Sequence, residues 1–309
     1  MLRFLPGVIL APLLIALLCL NVALCGGLVF VLSLPKLLIP VPIWRRAMTR
    51  LMEQVVRAWS LLNLGILRLG NRVQWDVRGL DGLDKHSWYL MMANHLSWLD
   101  IVVLFGIAGG NLPLPRFFLK HELLYVPFLG LGCWAMDMPF MRRYSTGYLK
   151  KHPHKKGKDI EATAKACAKL KHHPSTMINF VEGTRFTAQK RVKRNSPFQH
   201  LLPPKAAGIA FTLSAMGQQF DKVLDVTLAY PGSEGRIGRD ILTGKLKHIV
   251  VDVEALAVTP EIIGDYFGDV EFKRQFQGWL NSRWQHKDAK LAGIGEQAEL
   301  VVNLAEQRS

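Results

Sequence analysis

A histidine followed five positions later by an aspartate, in Asn94-His95-Leu96-Ser97-Trp98-Leu99-Asp100, sits where one hydrophobic pattern gives way to another. Before it, Trp88-Tyr89-Leu90-Met91-Met92-Ala93 reads as a buried strand. After it, Leu99, Ile101, Val102, Val103, Leu104 and Phe105 fit a helix. A carboxylate one turn beyond a histidine can accept from one ring nitrogen and leave the other to take a proton, as an oriented general base requires. Spacing alone does not single the pair out, because His154 and Asp159 repeat it inside a lysine-rich stretch with no strand before it. That second pair reads as a solvated loop, with Asp159 as an ordinary acid near a helix N-terminus.

A second run follows another apolar strand, Thr176-Met177-Ile178-Asn179, and reads Phe180-Val181-Glu182-Gly183-Thr184-Arg185. A glycine turn here would present a hydroxyl and a guanidinium together. Gly183 permits close backbone approach, and Arg185 offers a planar fork suited to a phosphate. A third run, Lys120-His121-Glu122-Leu123-Leu124-Tyr125-Val126-Pro127-Phe128-Leu129-Gly130 continuing to Phe140-Met141-Arg142-Arg143, reads by itself as helix punctuation and surface charge. No Gly-x-Ser-x-Gly elbow supplies a serine nucleophile. Cys19, Cys25, Cys133 and Cys167 lack Cys-x-x-Cys spacing, so neither a disulfide framework nor a metal site is expected.

The elements that must hold these runs alternate. Val73, Trp75 and Val77 form a strand entering the turn Gly79-Leu80-Asp81-Gly82. Helical patterns recur near 160–172, 204–220 and 270–292, and apolar strands at 176–181, 223–229 and 246–253. This predicts an α/β fold, a mixed, mostly parallel sheet flanked by helices, over residues 71–309. Upstream, Phe4 to Leu34 carries no charge, which predicts a retained membrane anchor over 1–43. As one helix it would be roughly 46 Å long at 1.5 Å per residue, so a tilted span or a bent re-entrant pair is expected. Pro6, Pro12 and Gly26-Gly27 are the candidate bends.

Residues 44–70 read as an amphipathic interfacial helix with an apolar stripe at Trp44, Met48, Leu51, Val55, Trp59 and Leu62, and with Arg45, Arg46, Arg50 and Arg57 off it. Lys36, Arg45, Arg46 and Arg50 behind the anchor place the body in the cytoplasm by the positive-inside bias. The net charge of +15 asks for anionic partners. The basic stretches at 142–173 and 190–194 read as exposed loops.

Taken in order, these runs resemble the glycerolipid acyltransferases, centred on the 1-acylglycerol-3-phosphate acyltransferases. Asn94-His95 through Asp100 resembles the family's catalytic block, Lys120–Gly130 with Phe140–Arg143 its second, and Phe180–Arg185 its third, with Val181 where proline is usual. Leu224-Asp225-Val226-Thr227-Leu228-Ala229-Tyr230-Pro231 falls at the fourth, apolar block. Glu182-Gly183-Thr184-Arg185-Phe186-Thr187, Leu202-Pro203-Pro204-Lys205 and Asp225–Leu228 resemble the lysocardiolipin acyltransferase-like subgroup.

The resemblance implies acyl transfer from a thioester, acyl-CoA or acyl carrier protein, to a lysophospholipid hydroxyl in the membrane, most simply lysophosphatidic acid. It implies His95 as general base and Asp100 as its partner, and no cofactor. It places the acceptor phosphate on Arg185, with Lys120 and Arg143 as helpers, and Asn94, Glu182, Gly183 and Thr184 around the substrate. Another lysolipid or glycerol-3-phosphate as acceptor, or water in a thioesterase, are variants of the same chemistry. A non-catalytic, membrane-tethered binder of anionic lipid or nucleic acid is the rival class, with salt-dependent binding and no turnover. The sequence offers no known nucleic-acid motif, so no nucleic-acid partner is expected. For a bacterial chain the setting would be the inner membrane.

Overall fold

The computed structural model describes residues 2–126, 128–141 and 173–306. Its centre is a six-stranded sheet of β1 (Gln74–Arg78), β2 (Tyr89–Ala93), β3 (Pro115–Phe117), β6 (Thr176–Phe180), β7 (Lys222–Ala229) and β8 (His248–Ala257). The spatial order is β1-β8-β7-β2-β6-β3. Every neighbouring pair is parallel except β7 and β8, which run antiparallel. The sheet is therefore mixed and mostly parallel, as the alternation of patterns implies. Two short strands, β4 (Leu119–Lys120) and β5 (Phe140–Met141), pair as a separate ribbon.

β2 lies at the centre, and all five of its residues are buried, as expected for a strand covered on both faces. Its side chains alternate between two cores. Leu90 and Met92 join Met177, Val223 and residues of α6 (Ala206–Met216) and α8 (Val270–Glu306) on one face. Tyr89, Met91 and Ala93 join Ile178, Leu224, Val226, Leu228 and α3 (Leu99–Asn111) on the other. The patterns near 204–220 and 270–292 are α6 and the first part of α8. The pattern near 160–172 lies outside the described residues.

The first two helices form an antiparallel hairpin. α1 (Gly7–Leu38) is one unbroken helix of 32 residues, about 48 Å at 1.5 Å each. Pro12 and Gly26-Gly27 fall inside it without breaking it, and the chain turns back between it and α2 (Pro42–Gly70). Asn21 of α1 donates to Asn63 Oδ1 (2.8 Å) and to the Trp59 carbonyl of α2.

Both ends of α1 are tied to the body. At the start, Arg3 donates to the Asn71 carbonyl, and Leu10 and Leu14 pack at Gly70. At the end, buried Lys36 pairs with Asp137 at 2.9 Å and donates to Thr49 Oγ1. A helix crossing a bilayer from face to face separates its ends by the membrane; here one globular body holds both. Only 17% of the most apolar window is buried, so a long apolar face stays uncovered.

The apolar stripe expected on α2 is divided. Val55 is buried and Met48 and Trp59 pack inward, whereas Leu51 and Leu62 are exposed. Thr49, Met52, Ser60, Asn63 and Leu67 are buried as well, and Thr49 and Asn63 of these bond to α1. Polar residues are tolerated there because Thr49 and Asn63 bond Lys36 and Asn21 across the hairpin.

Candidate active site

β2 and β6 lie side by side in parallel register, with Ala93 opposite Phe180. The two motif-bearing segments therefore leave the sheet together, at the carboxyl ends of adjacent strands, where open α/β sheets form their binding crevices.

The first segment is held by a dense set of hydrogen bonds. The His95 ring stacks on Phe180 with centroids 4.0 Å apart. Its Nδ1 lies 2.7 Å from Asp100 Oδ2, and its side chain is 16% exposed. Asp100, near the start of α3, is wholly buried and also accepts from the Leu96 and Ser97 amides through Oδ2. Its Oδ1 accepts from the Tyr230 hydroxyl at 2.7 Å. Burial and the Asp100 charge beside it raise the Tyr230 pKa well above the usual phenol value, so the hydroxyl stays a donor. With Nδ1 committed to Asp100, Nε2 is the ring nitrogen open to a substrate proton. The Leu96 and Ser97 amides are spent on Asp100, so they are not free to receive an oxyanion.

Asn94 is placed inside the fold, beneath the turn. Its amide is buried and donates to the Leu228 carbonyl (2.9 Å), while its Oδ1 accepts from the Leu228 amide (2.8 Å). It extends the β2–β7 pairing by one side chain just past the strand.

The second segment turns at Gly183, whose φ of +66° favours glycine and whose amide donates to the Phe180 carbonyl. Glu182 points inward, wholly buried. Its Oε1 accepts from the His95 amide (3.0 Å) and its Oε2 from the Leu202 amide (2.8 Å). Burial raises its pKa to about 7, against the lowering effect of those two bonds. Phe186 N–H donates to the His95 carbonyl at 2.7 Å, a second stitch between the segments. Glu182 thus orients the histidine loop and makes no contact with Arg185.

Arg185 is exposed, and no acidic side chain among the described residues pairs with it. Two further lysines, which sequence reasoning left out, gather at the same turn. Lys190 donates to Thr184 Oγ1 (2.8 Å) and to the Arg185 carbonyl (2.9 Å). The Lys205 side chain lies across Gly183, at 3.1 Å from where a Cβ would stand. The basic stretch 190–194, expected as a loop, begins inside a short helix, α5 (Ala188–Lys193), capped by Thr187. Its position three residues beyond a threonine was the available helix signal.

Lys120 sits in the β4–β5 ribbon opposite Met141. Arg143 and the decoy pair His154–Asp159 lie outside the described residues. Tyr230 ends the apolar strand β7; only the pairing of β7 with β2 shows that this end lies over Asp100. Among the described residues no group of three or more His, Cys, Asp or Glu could hold a metal.

A half-buried histidine on a wholly buried carboxylate, at the carboxyl edge of an α/β sheet and beside a cation-flanked turn, is an arrangement suited to acid–base chemistry on an anionic ligand. The chain belongs to the glycerolipid acyltransferase family, and is an O-acyltransferase: the acyltransferase family profile matches residues 74–230, just over half of it. Lysocardiolipin acyltransferase 1 of Gallus gallus is 23% identical over 86% of this chain and 68% of its own length. The 1-acyl-sn-glycerol-3-phosphate acyltransferase delta of Mus musculus is 26% identical over 65% of this chain, which spans about half (51%) of that relative. The crystal structure of the 1-acyl-sn-glycerophosphate acyltransferase PlsC from Thermotoga maritima matches with a TM-score of 0.53 at 17% identity. It covers 91% of this chain and 96% of that one, a likeness of fold. The long, largely uncovered apolar helix α1 accords with membrane association.

Proposed function

We propose that the protein transfers a fatty acyl group from an acyl thioester to the free hydroxyl of a lysophospholipid, with 1-acylglycerol-3-phosphate as first candidate and phosphatidate as product. The donor would be acyl-CoA or acyl carrier protein. The observation that carries this reading is the His95–Asp100 pair, with Nε2 uncommitted, at one sheet edge with the Arg185 turn.

His95 Nε2 takes the proton of the acceptor hydroxyl as its oxygen attacks the thioester carbonyl. The carbon–oxygen bond forms, the carbon–sulfur bond breaks, and the imidazolium returns the proton to the departing thiolate. Asp100 holds the tautomer and offsets the charge that develops on the ring. Arg185 binds the acceptor phosphate, with Lys190 and Lys205 adding positive charge and Thr184 and Gly183 shaping the turn. The names of the relatives, which act on lysophosphatidate and lysocardiolipin, support this acceptor class.

The hairpin α1–α2 would lie with its uncovered apolar face in one leaflet, since both ends of α1 belong to the body. Arg45, Arg46 and Arg50 would rest against anionic headgroups on the cytoplasmic side, each worth about 1 kcal/mol there.

The test is acyl transfer from a labelled long-chain acyl-CoA to a panel of lysolipids by membranes carrying the protein. His95→Ala should remove ~10²-fold or more of the activity, the scale of general-base help, while His154→Ala leaves it within twofold. Equal losses from both would overturn the assignment. Thioester loss without labelled phospholipid would identify a thioesterase.

A further inference from the structure

The carboxyl-terminal helix α8 reaches the site by a route that involves no substrate contact. It is fixed to the sheet from below. Lys287, 1% exposed, pairs with Asp225 of β7 at 2.6 Å and donates to the Val226 carbonyl, while Arg283 bridges Asp225 (2.9 Å) and Glu254 (2.6 Å).

On its neighbouring flank the same helix grips the segment 199–202 at two points. Asp288 accepts from the Gln199 amide (2.9 Å) and the His200 amide (2.7 Å). Trp284, the largest fully buried side chain, donates from Nε1 to the Leu202 carbonyl at 3.1 Å. Leu202 in turn donates its amide to Glu182 Oε2, and Glu182 Oε1 accepts from the His95 amide.

We propose that Trp284 and Asp288 are positioning residues for His95, acting through Leu202 and Glu182. The proposal rests on the reading of His95 as the base. From Trp284 through Leu202 to Glu182 each link joins groups that cannot turn to water, while the Asp288 grip is half-buried. Leu202, Glu182 and Trp284 are each wholly buried, so a lost donor leaves an orphaned partner that can be satisfied only by moving the segment. The segment is also tied locally, with Ser196 donating to the Leu201 carbonyl and Arg191 to the Phe198 carbonyl, so it is braced between α5 and α8. A shift there passes to the backbone of the histidine, and a misplacement of about 1 Å at a reacting atom can cost ~10²-fold in rate. Asp225, a buried acid in the apolar face of a strand, finds its reason here: it anchors the helix that holds the loop.

The experiment measures kcat and the KM for lysophosphatidate with the purified full chain, using a long-chain acyl-CoA as donor and thiol release as readout. Trp284→Phe removes the indole N–H and keeps an aromatic ring; Asp288→Ala removes the half-buried second grip. Each should lower kcat by about tenfold with KM within twofold, a share of the loss that full misplacement brings. Phe276→Leu serves as the control, since Phe276 is buried on the same helix and packs on Tyr266 and Trp279 without a bond to 199–202. It should lower Tm as Trp284→Phe does while keeping kcat within twofold.

Unchanged kcat in Trp284→Phe and Asp288→Ala, beside an inactive His95→Ala, overturns this proposal alone. An equal kcat loss in Phe276→Leu overturns it too, by making α8 a general core element. Wild-type turnover by His95→Ala overturns the base assignment and this proposal with it.

Discussion

Two turns leave the sheet side by side, after β2 and after β6, and they are built in opposite ways. In the first, Asp100 collects four donors in full burial, and the His95 ring is held between it and Phe180, with one nitrogen left over. In the second, Glu182 is buried and bonded on both oxygens; beyond it Gly183 and Arg185 are exposed and the guanidinium has no acidic partner among the described residues. On the proposed mechanism, a proton-transfer atom must not wander, whereas a phosphate ligand must be free before its anion arrives. The contrast would then separate chemistry from capture, with Glu182 as the joint between them.

The largest expected effect is on the closed side. Asp100→Asn keeps the shape: its oxygen can accept what Oδ2 accepts, and its amide can donate to Tyr230 once that hydroxyl turns. Only the charge that stabilises the imidazolium is lost. Turnover should fall by ~10²–10⁴-fold with the acceptor KM within a few-fold. Retention of more than a tenth of the turnover would make Asp100 a clasp for the loop and nothing else. The open side should answer in the other parameter. Arg185→Ala should raise the KM for lysophosphatidate by ~10–150-fold, from about 1.5–3 kcal/mol for charge-assisted bonds, with kcat nearly unchanged. An uncharged monoacylglycerol acceptor should show no such change.

What the sequence revealed of these two turns follows the same division. His95 and Asp100 were legible because their spacing is set within a single strand-to-helix junction, and local geometry decides it. The alternation of strands and helices, and so the α/β sheet, was legible for the same reason. Asn94 was not, because its partner Leu228 lies 134 residues away and only the pairing of β2 with β7 brings them together. Tyr230 was hidden by that same pairing. The anchor shows the limit most plainly. An uncharged run announces a helix of about that length, but its ends are placed by Arg3 on Asn71 and Lys36 on Asp137, contacts that no hydropathy profile contains.

Tyr230→Phe sharpens the closed side further. It leaves Asp100 Oδ1 buried without a donor and frees the carboxylate to shift away from the ring. We expect kcat to fall by about five- to tenfold, the cost of one buried bond. An unchanged kcat would mean that Tyr230 only packs.

The last effect concerns the joint, and it is read as stability rather than as turnover. Glu182 has its pKa raised to about 7 by burial, so the folded chain holds its proton more tightly than the unfolded chain does. The contribution is therefore present in full below the ordinary glutamate range and is lost as pH rises from about 4.5 to 7, amounting to about 3 kcal/mol at most. His173 runs the other way, since burial and Arg116 lower its pKa and make stability rise with pH. The two slopes overlap, so the wild-type curve by itself does not isolate Glu182. Glu182→Gln does: it removes one ionisation and leaves His173 in place. At pH 5 the variant should be the less stable, because an amide can accept from only one of the His95 and Leu202 N–H groups. By pH 8 that gap in Tm should narrow, as the wild type has then lost its advantage. A gap that stays constant from pH 5 to 8 would show that the carboxyl is ionised throughout, and the joint would then be a fixed charge facing two amides.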